Sequence, residues 1–534
     1  MAPHAAADTQ VVLAGLIRVN RAQPKEEHEV KVAVVDVGYN SLKMVKYIVE
    51  PDGTQRAYGQ FGMMARLGEG LEQTGYLGKE QMSGTVDALK LCKETASLDE
   101  IKHVLLIGTS PVREAINREE FLRTVQEETG MKMRVLTGNE EALYGFLGAA
   151  RSVNAPTMLL FDLGGGSLEL TYAVKQRIVR ILSLPLGVLR LTGQYASKDG
   201  TFTKKSRARM TKRINQLLPS KKELGLDKDA ALVGTGGTAR AMARFHQESV
   251  DYPLNKIHNY AVDIDSVQRM SRQFFKMNME ELGKAEAIGV DRSQTIAAGA
   301  LVVRLLMERL NLGTLTVSAD GLRDGILSEF LAKGGNAFPE MVQKEEIERI
   351  LQRPRIFPRT GSNYELAESL VRNGIFDERQ ETLLLMALER GRDPDCVQAK
   401  PDALFGIVVS EDLAMSHEDQ VLMSVALVRA RRSRTANWFL RKYGGLLSHG
   451  DVKAVRKMGA CLRLMEILDR SGASFKVSFS GGLRINVIGS EGPFPLELVR
   501  NAALAFSAAI KRNVFVAVSV KEGRRNEETA RARV

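Results

Sequence analysis

The chain has 534 residues, 44% hydrophobic and 26% charged, a balance that matches folded globular protein and excludes collagen, coiled coil and wholesale disorder. Lys and Arg number 75 against 64 Asp and Glu, and the formal net charge of +11 biases the long-range field toward anionic partners such as phosphates, nucleic acids or acidic membrane surfaces. No run reaches the ~18 apolar residues needed to span a bilayer, and the separated Cys92, Cys396 and Cys461 suit neither a disulfide framework nor a thiolate zinc site.

A cytoplasmic protein with reduced, buried thiols is the expectation. The apolar run at 11–17 lacks the preceding basic residues of a signal peptide, and residues 1–28 read as a flexible leader. The first strong strand is 31–36 (KVAVVD), an apolar run ending in a carboxylate, and 158–162 (MLLFD) repeats it. The match continues without gaps, DVGYNSLKM from Asp36 aligning on DLGGGSLEL from Asp162, each followed by a second strand. This internal duplication predicts two related α/β units, 29–156 and 157–335, facing one another.

Between the copies, 119–128 and 139–150 have helical character, with a strand at 133–136. Two prolines among basic residues at 353–359 mark a junction. A helical unit, 336–472, follows, with helices predicted at 364–373, 378–390, 417–432 and 451–471. Strands at 474–479, 483–488 and 513–520 around a helix at 496–511 make a small α/β unit, 473–534, whose tail after Lys521 is frayed.

Three glycine-rich turns carry the candidate chemistry. Without Cβ atoms, Gly164, Gly165 and Gly166, followed by Ser167, can bring several N–H groups to one anion. The copy offers amides around Gly38 together with Asn40 and Ser41. Asp36 and Asp162 could share a hydrated Mg²⁺, a hard cation that prefers carboxylates, water and phosphate oxygen. The structural alternative for each is a hairpin with a turn-forming aspartate. The third loop, Gly236, Gly237 and Thr238, sits between a strand at 230–233 and a helix containing Arg240. It lacks the lysine of a Walker A loop, and a plain strand-to-helix turn is its alternative.

In this order the motifs resemble the exopolyphosphatase/guanosine pentaphosphatase (Ppx/GppA) family, a branch of the actin, sugar-kinase and heat-shock-chaperone ATPase superfamily, over about residues 31–332. The carriers are DVGYNS from Asp36, GTSPVREA from Gly108, LTGNEEA from Leu136, FDLGGGSLEL from Phe161, SLPLGVLRLT from Ser183, GTGGTARA from Gly234 and ADGLRDGIL from Ala319. The resemblance implies two actin-like (ribonuclease H-like) domains and assigns the general base to Glu141. Adjacent helical residues point about 100° apart, so Glu140 is read as support for the turn. The same carry-over makes Glu169 a third metal-water or phosphate-positioning carboxylate, an outward strand residue being the alternative. Arg113 becomes a phosphate contact or a structural ion-pair partner, Arg323 a hinge-side contact, and Lys43, at the position equivalent to Glu169, a surface lysine or a cation on the polyanion.

The chain departs from the family pattern in two places. Tyr39 stands where a serine is common, and the helical unit, HD-like in longer members, lacks the HD metal signatures and leaves His417 isolated. That unit is therefore read as scaffold or polyanion-binding surface, with basic clusters at Arg429, Arg431, Arg432, Arg434, Arg441 and Lys442, and at Lys204, Lys205, Arg207, Arg209, Lys212 and Arg213. No nucleic-acid reader motif accompanies the charge.

The expected activity is release of orthophosphate from the ends of inorganic polyphosphate with Mg²⁺ as cofactor, in a homodimer implied by the resemblance. The alternatives are removal of the 5′ terminal phosphate of guanosine pentaphosphate and a non-catalytic alarmone or polyphosphate sensor.

Overall fold

The computed structural model describes residues 29–49, 55–197, 199–333, 361–488 and 494–519. The leader, the proline junction and the tail after Lys521 lie outside the described residues.

The first half is a sheet of β1 (Val30–Val37), β2 (Leu42–Val49), β3 (Gln55–Met63), β4 (His103–Gly108) and β5 (Arg134–Val135), ordered 3-2-1-4-5. The second half repeats it with β6 (Thr157–Leu163), β7 (Leu168–Val174), β8 (Arg177–Leu184), β9 (Ala231–Thr235), β10 (Tyr260–Asp263) and β11 (Thr314–Val317), ordered 10-11-9-6-7-8. In each, an antiparallel hairpin pair leads into parallel strands reached through helical crossovers, β1 to β4 and β6 to β9.

The uninterrupted apolar runs of β1 and β6 follow from burial on both faces. Ala33, Val35 and Val37 point into the outer core of the first half, beneath helices Lys79–Leu98 and Arg118–Thr129, whereas Val32 and Val34 point the other way. In β6, Leu159, Phe161 and Leu163 face the second half's own helices, and Met158 and Leu160 turn inward. The inward residues of both sheets meet in one shared core.

Two helices fill that core and exchange partners. Helix Gly138–Ala149 follows the first sheet in sequence but packs on β6, β7 and β8, while helix Leu322–Ala332, from the end of the second half, packs on β1. The two cross at backbone contact. A Cβ on Gly148 would overlap the Gly321 carbonyl, and one on Gly325 would overlap the Tyr144 carbonyl. The halves are thus joined through a layer to which each contributes one helix.

Beyond residue 360, helices Ser362–Arg372, Glu378–Arg392, Pro394–Gln398, Pro401–Ser410, His417–Arg431, Ser433–Tyr443 and His449–Arg470 precede β12 (Ser474–Phe479), β13 (Leu483–Ile488), helix Leu496–Ile510 and β14 (Val514–Ser519), in a sheet ordered 12-13-14. Helix His417–Arg431 is buried nearly all round, since neighbouring helices cover every side, and one hydrophobic core runs from these helices into the terminal sheet.

His417 is a structural joint. Its Nε2 donates to the His258 carbonyl at 2.8 Å, which leaves Nδ1 to accept from the Tyr252 hydroxyl at 2.9 Å. Asn259 adds bonds to the Leu413 and Met415 carbonyls. The histidine that is isolated in sequence therefore fastens the helical unit to the second half. Among the described residues no helix is long and apolar enough to cross a membrane.

Candidate active site

The two duplicated hairpins turn toward each other at the inner ends of β1 and β6. Their closures are equivalent: the Gly38 N–H donates to the Ser41 carbonyl at 3.1 Å, and the Gly164 N–H to the Ser167 carbonyl at 3.0 Å. The carbonyls of the loops are occupied from behind. Those of Tyr39 and Asn40 accept from Gly68 and Arg66, while those of Gly164, Gly165 and Gly166 accept from Val188, Leu189 and Gly187. Among the described residues, the N–H groups of Tyr39, Asn40 and Ser41 and those of Gly165, Gly166 and Ser167 have no protein acceptor. Three successive amides with their carbonyls turned away make an anion cradle, and here two face one cleft.

The third loop supplies a helix N-terminus. Helix Gly236–Ser249 starts without a side-chain cap, so the first N–H groups, at Gly236, Gly237 and Thr238, carry its positive end. Gly236 lies against the Asp162 carboxylate, a Cβ there falling 2.7 Å from Oδ1.

Glu141 and Glu140 divide the start of helix Gly138–Ala149 between them. Glu140 closes a capping box, accepting from the Thr137 N–H at 2.8 Å and from Arg134 at 2.6 Å. Burial opposes its ionisation, but those donors hold its carboxyl below the usual range. Glu141 instead faces the cleft with 11% of its side chain exposed and pairs with Arg113, which also donates to the Leu136 carbonyl at 2.6 Å. Burial, and then the charge of Glu169, push the Glu141 carboxyl well above the usual range, with Arg113 acting in the opposite sense. Arg113 is thus both an ion-pair partner and a cation of the cleft wall.

The remaining carboxylates follow the strand register. Asp162 lies opposite Glu169 on β6 and β7, and Asp36 lies opposite Lys43 on β1 and β2. Glu169 is buried, not turned outward, and accepts from the Ser183 hydroxyl at 2.9 Å. Burial, with Asp162 adding to it, raises Glu169 to about 7 against the pull of the Ser167 and Ser183 hydroxyls. Burial likewise raises Asp36 and Asp162 above the ordinary aspartate range.

These desolvated oxygens are hard donors that repel one another, which favours a bound cation. Among the described residues no three of them converge as a ready-made cage. The set therefore fits an ion that takes one or two carboxylates and completes its shell with water and phosphate oxygen, as Mg²⁺ does.

Cations flank the carboxylates. Lys43 is largely buried, and that burial, with Arg323 and Arg240 adding to it, lowers its amine to about 8. Arg323, on helix Leu322–Ala332, reaches across the halves to Asp36 at 3.6 Å. Arg240 donates to the Ala319 carbonyl at 2.9 Å, and burial pulls it down to about 10. Arg292 lies beside Gly237. Lys43 is thus part of the cleft instead of a solvated surface residue.

A cavity of about 390 Å³, lined by Arg113, Thr137, Gly138, Asn139, Ser167 and Ser183, opens beside Glu141 and spans both halves. Sequence reasoning passed over Ser183 and Arg292. Ser183 heads one of the quoted motifs and was open to notice. Arg292, on a four-residue helix far from any of them, was not.

Several residues of the basic clusters make contacts of their own. Arg207 and Arg209 lie over the Phe275 and Tyr195 rings, Arg429 donates to Asn437, and Arg431 donates to the Cys396 and Gly391 carbonyls.

Known proteins share this architecture. A crystal structure of the Aquifex aeolicus Ppx/GppA family member superposes with a TM-score of 0.51 at 25% identity, covering 58% of this chain and all of that one. A structure described as an exopolyphosphatase from Cytophaga hutchinsonii shares the fold with a TM-score of 0.54 at 21% identity and the same coverage. In sequence, "Exopolyphosphatase 2" of Mycobacterium tuberculosis strain H37Rv is 28% identical over 315 residues, 55% of this chain and 97% of the relative. "Guanosine-5'-triphosphate,3'-diphosphate pyrophosphatase" of Photobacterium profundum is 26% identical over 303 residues, 56% of this chain and 59% of its own length. The sequence profile that matches residues 60–333 covers more than half of the chain and takes in most of the duplicated halves, including the second glycine cradle and Glu141, so the chain belongs to the Ppx/GppA phosphatase family.

Proposed function

We propose that the chain is an exopolyphosphatase that releases orthophosphate from the end of inorganic polyphosphate. The observation that carries this reading is the pair of facing cradles, six unpaired backbone amides in all, beside the Arg113–Glu141 pair. The terminal phosphate sits between the cradles, whose N–H groups donate to its non-bridging oxygens and stabilise the charge that develops there. Glu141, ionised and oriented by Arg113, accepts a proton from water as the water oxygen attacks phosphorus. The bridging P–O bond breaks, its oxygen leaves with the shortened chain, and orthophosphate departs. One or two of Asp36, Asp162 and Glu169 would hold Mg²⁺, which would offset phosphate charge as a Lewis acid. Arg113 and Asn139 at the mouth hold the polyanion at its point of entry. The reading includes the homodimer implied by the family resemblance, and a monomeric mass in solution would remove that part alone.

A second reading, removal of the 5′ terminal phosphate of guanosine pentaphosphate, is favoured by Lys43, Arg240, Arg292 and Arg323 around the third loop, which suit a second anionic group. Orthophosphate release by the purified protein, measured on both substrates with and without Mg²⁺, separates the two. Mg²⁺-dependent release from polyphosphate, faster than from the nucleotide, is expected. Tight binding without release from either would overturn the hydrolase and favour a sensor.

A further inference from the structure

Tyr39 is a bulky ring at the tip of the first cradle, and its surroundings belong to both halves. It is 9% exposed. On one side, a Cβ on Gly68 would overlap the ring. On the other, a Cβ on Gly165 would lie 2.8 Å from the tyrosine Cβ, and one on Gly166 would lie 3.1 Å from Cδ2. The ring is therefore wedged between its own half and the backbone of the opposite cradle, and only glycines leave room for it.

Two consecutive residues of the second half complete the contact. Leu189 packs against the outer core of the first half, to which Tyr39 belongs. Arg190 donates through Nε to the Gly166 carbonyl at 2.9 Å and pairs with Glu72 at 2.9 Å and Glu114 at 2.6 Å, both in the first half. Leu189 and Arg190 also lie at the start of helix Val188–Tyr195, whose N–H groups hold the cradle's carbonyls. An apolar contact and an ionic one thus bridge the halves at the loops themselves.

We propose that Tyr39 is a positioning residue that clasps the two cradles at a fixed separation, so that their amides meet the terminal phosphate already aligned. The positioning role rests on the hydrolase reading above; the clasp rests on the contacts alone. An aromatic side chain has few torsions and cannot shorten, so it acts as a spacer, and the amides on either side keep their distance without rearranging when phosphate binds. A serine in its place would remove the spacer and leave the ionic bridge to act alone.

The test uses the full chain with Tyr39→Ser, Tyr39→Phe and Arg190→Met. Amide hydrogen exchange at Gly38, Arg66, Gly68, Gly164 and 187–190, whose N–H groups close the loops or bond their carbonyls, is read by mass spectrometry, and kcat and KM are measured on polyphosphate. Tyr39→Ser is expected to speed exchange at these amides by about tenfold or more. It should also lower kcat on polyphosphate by about tenfold with KM little changed. Tyr39→Phe, which keeps the ring, should recover the wild-type kcat. If Tyr39→Ser does not fold, Arg190→Met loosens the same contact from the other side and must show the same exchange change. Unchanged exchange at these amides overturns the clasp, and faster exchange with an unchanged kcat overturns the positioning role. If the wild type releases no phosphate, the hydrolase reading and the positioning role fall together, and exchange still decides the clasp.

Discussion

Arg113 and Glu141 form an ion pair on the wall of the cleft, with 22% and 11% of their side chains exposed. The pair ties helix Ser110–Glu114 to the start of helix Gly138–Ala149, so the proposed base is aimed by a residue of a different element. Glu141→Gln keeps the size and the hydrogen-bonding capacity of the side chain while removing its ability to take a proton. Turnover should fall by roughly 10² to 10⁴ with the thermal unfolding midpoint little changed. Near-normal turnover in a steady-state assay would remove Glu141 from the chemistry.

The acid side of the pH profile should report the same carboxylate. Only the ionised form accepts a proton, and burial with the nearby Glu169 charge raises the carboxyl well above the usual range. The sign follows directly: activity is lost as pH falls through that raised value, so kcat/KM should begin to fall at a higher pH than an ordinary glutamate would give. The residual activity of Glu141→Gln should lack this limb. A limb at or below the ordinary carboxylate range would show that solvent reaches Glu141 more freely than its burial implies.

Much of this site was legible in the sequence because it depends on local geometry. A carboxylate at the end of an apolar strand followed by a glycine turn specifies a hairpin, and the duplication specifies that there are two. Glu140 and Glu141 separate by helical angle alone, and the Thr137 capping box fixes which one turns away. The terminal strands Ser474–Phe479 and Leu483–Ile488 were equally readable from their alternation. The exchange of helices Gly138–Ala149 and Leu322–Ala332 was not, because sequence order says nothing about which sheet an amphipathic helix covers. Lys43 was obscured for a similar reason, since cations of the opposing half surround it, and Arg292 because only the folding of its own half brings it to Gly237 and Arg244.

Arg113→Met should separate positioning from substrate binding. Arg113 lowers the pKa of Glu141 both by its charge and by its hydrogen bond, so its loss should move the acid limb to still higher pH, with activity partly recovered at alkaline pH. An arginine that served only to grip phosphate would lower kcat/KM by a similar factor at every pH. A pH profile of the variant parallel to that of the wild type would therefore reassign Arg113 to binding alone.

The helix crossing supplies a stability test independent of activity. At Gly148 an added Cβ meets the Gly321 carbonyl, and neither backbone can move without disturbing the core shared by both sheets. Gly148→Ala should destabilise the chain by about 1–3 kcal/mol, the usual range for overpacking. Gly84, on helix Lys79–Leu98, has open space around the same position, so Gly84→Ala should stabilise by roughly 0.4–1 kcal/mol through the lost freedom of the unfolded chain. The two alanines therefore differ in sign as well as in size, and urea unfolding of both variants measures the contrast. A Gly148→Ala variant as stable as the wild type would show that the two helices can separate, and the shared core would no longer account for how the halves are held together.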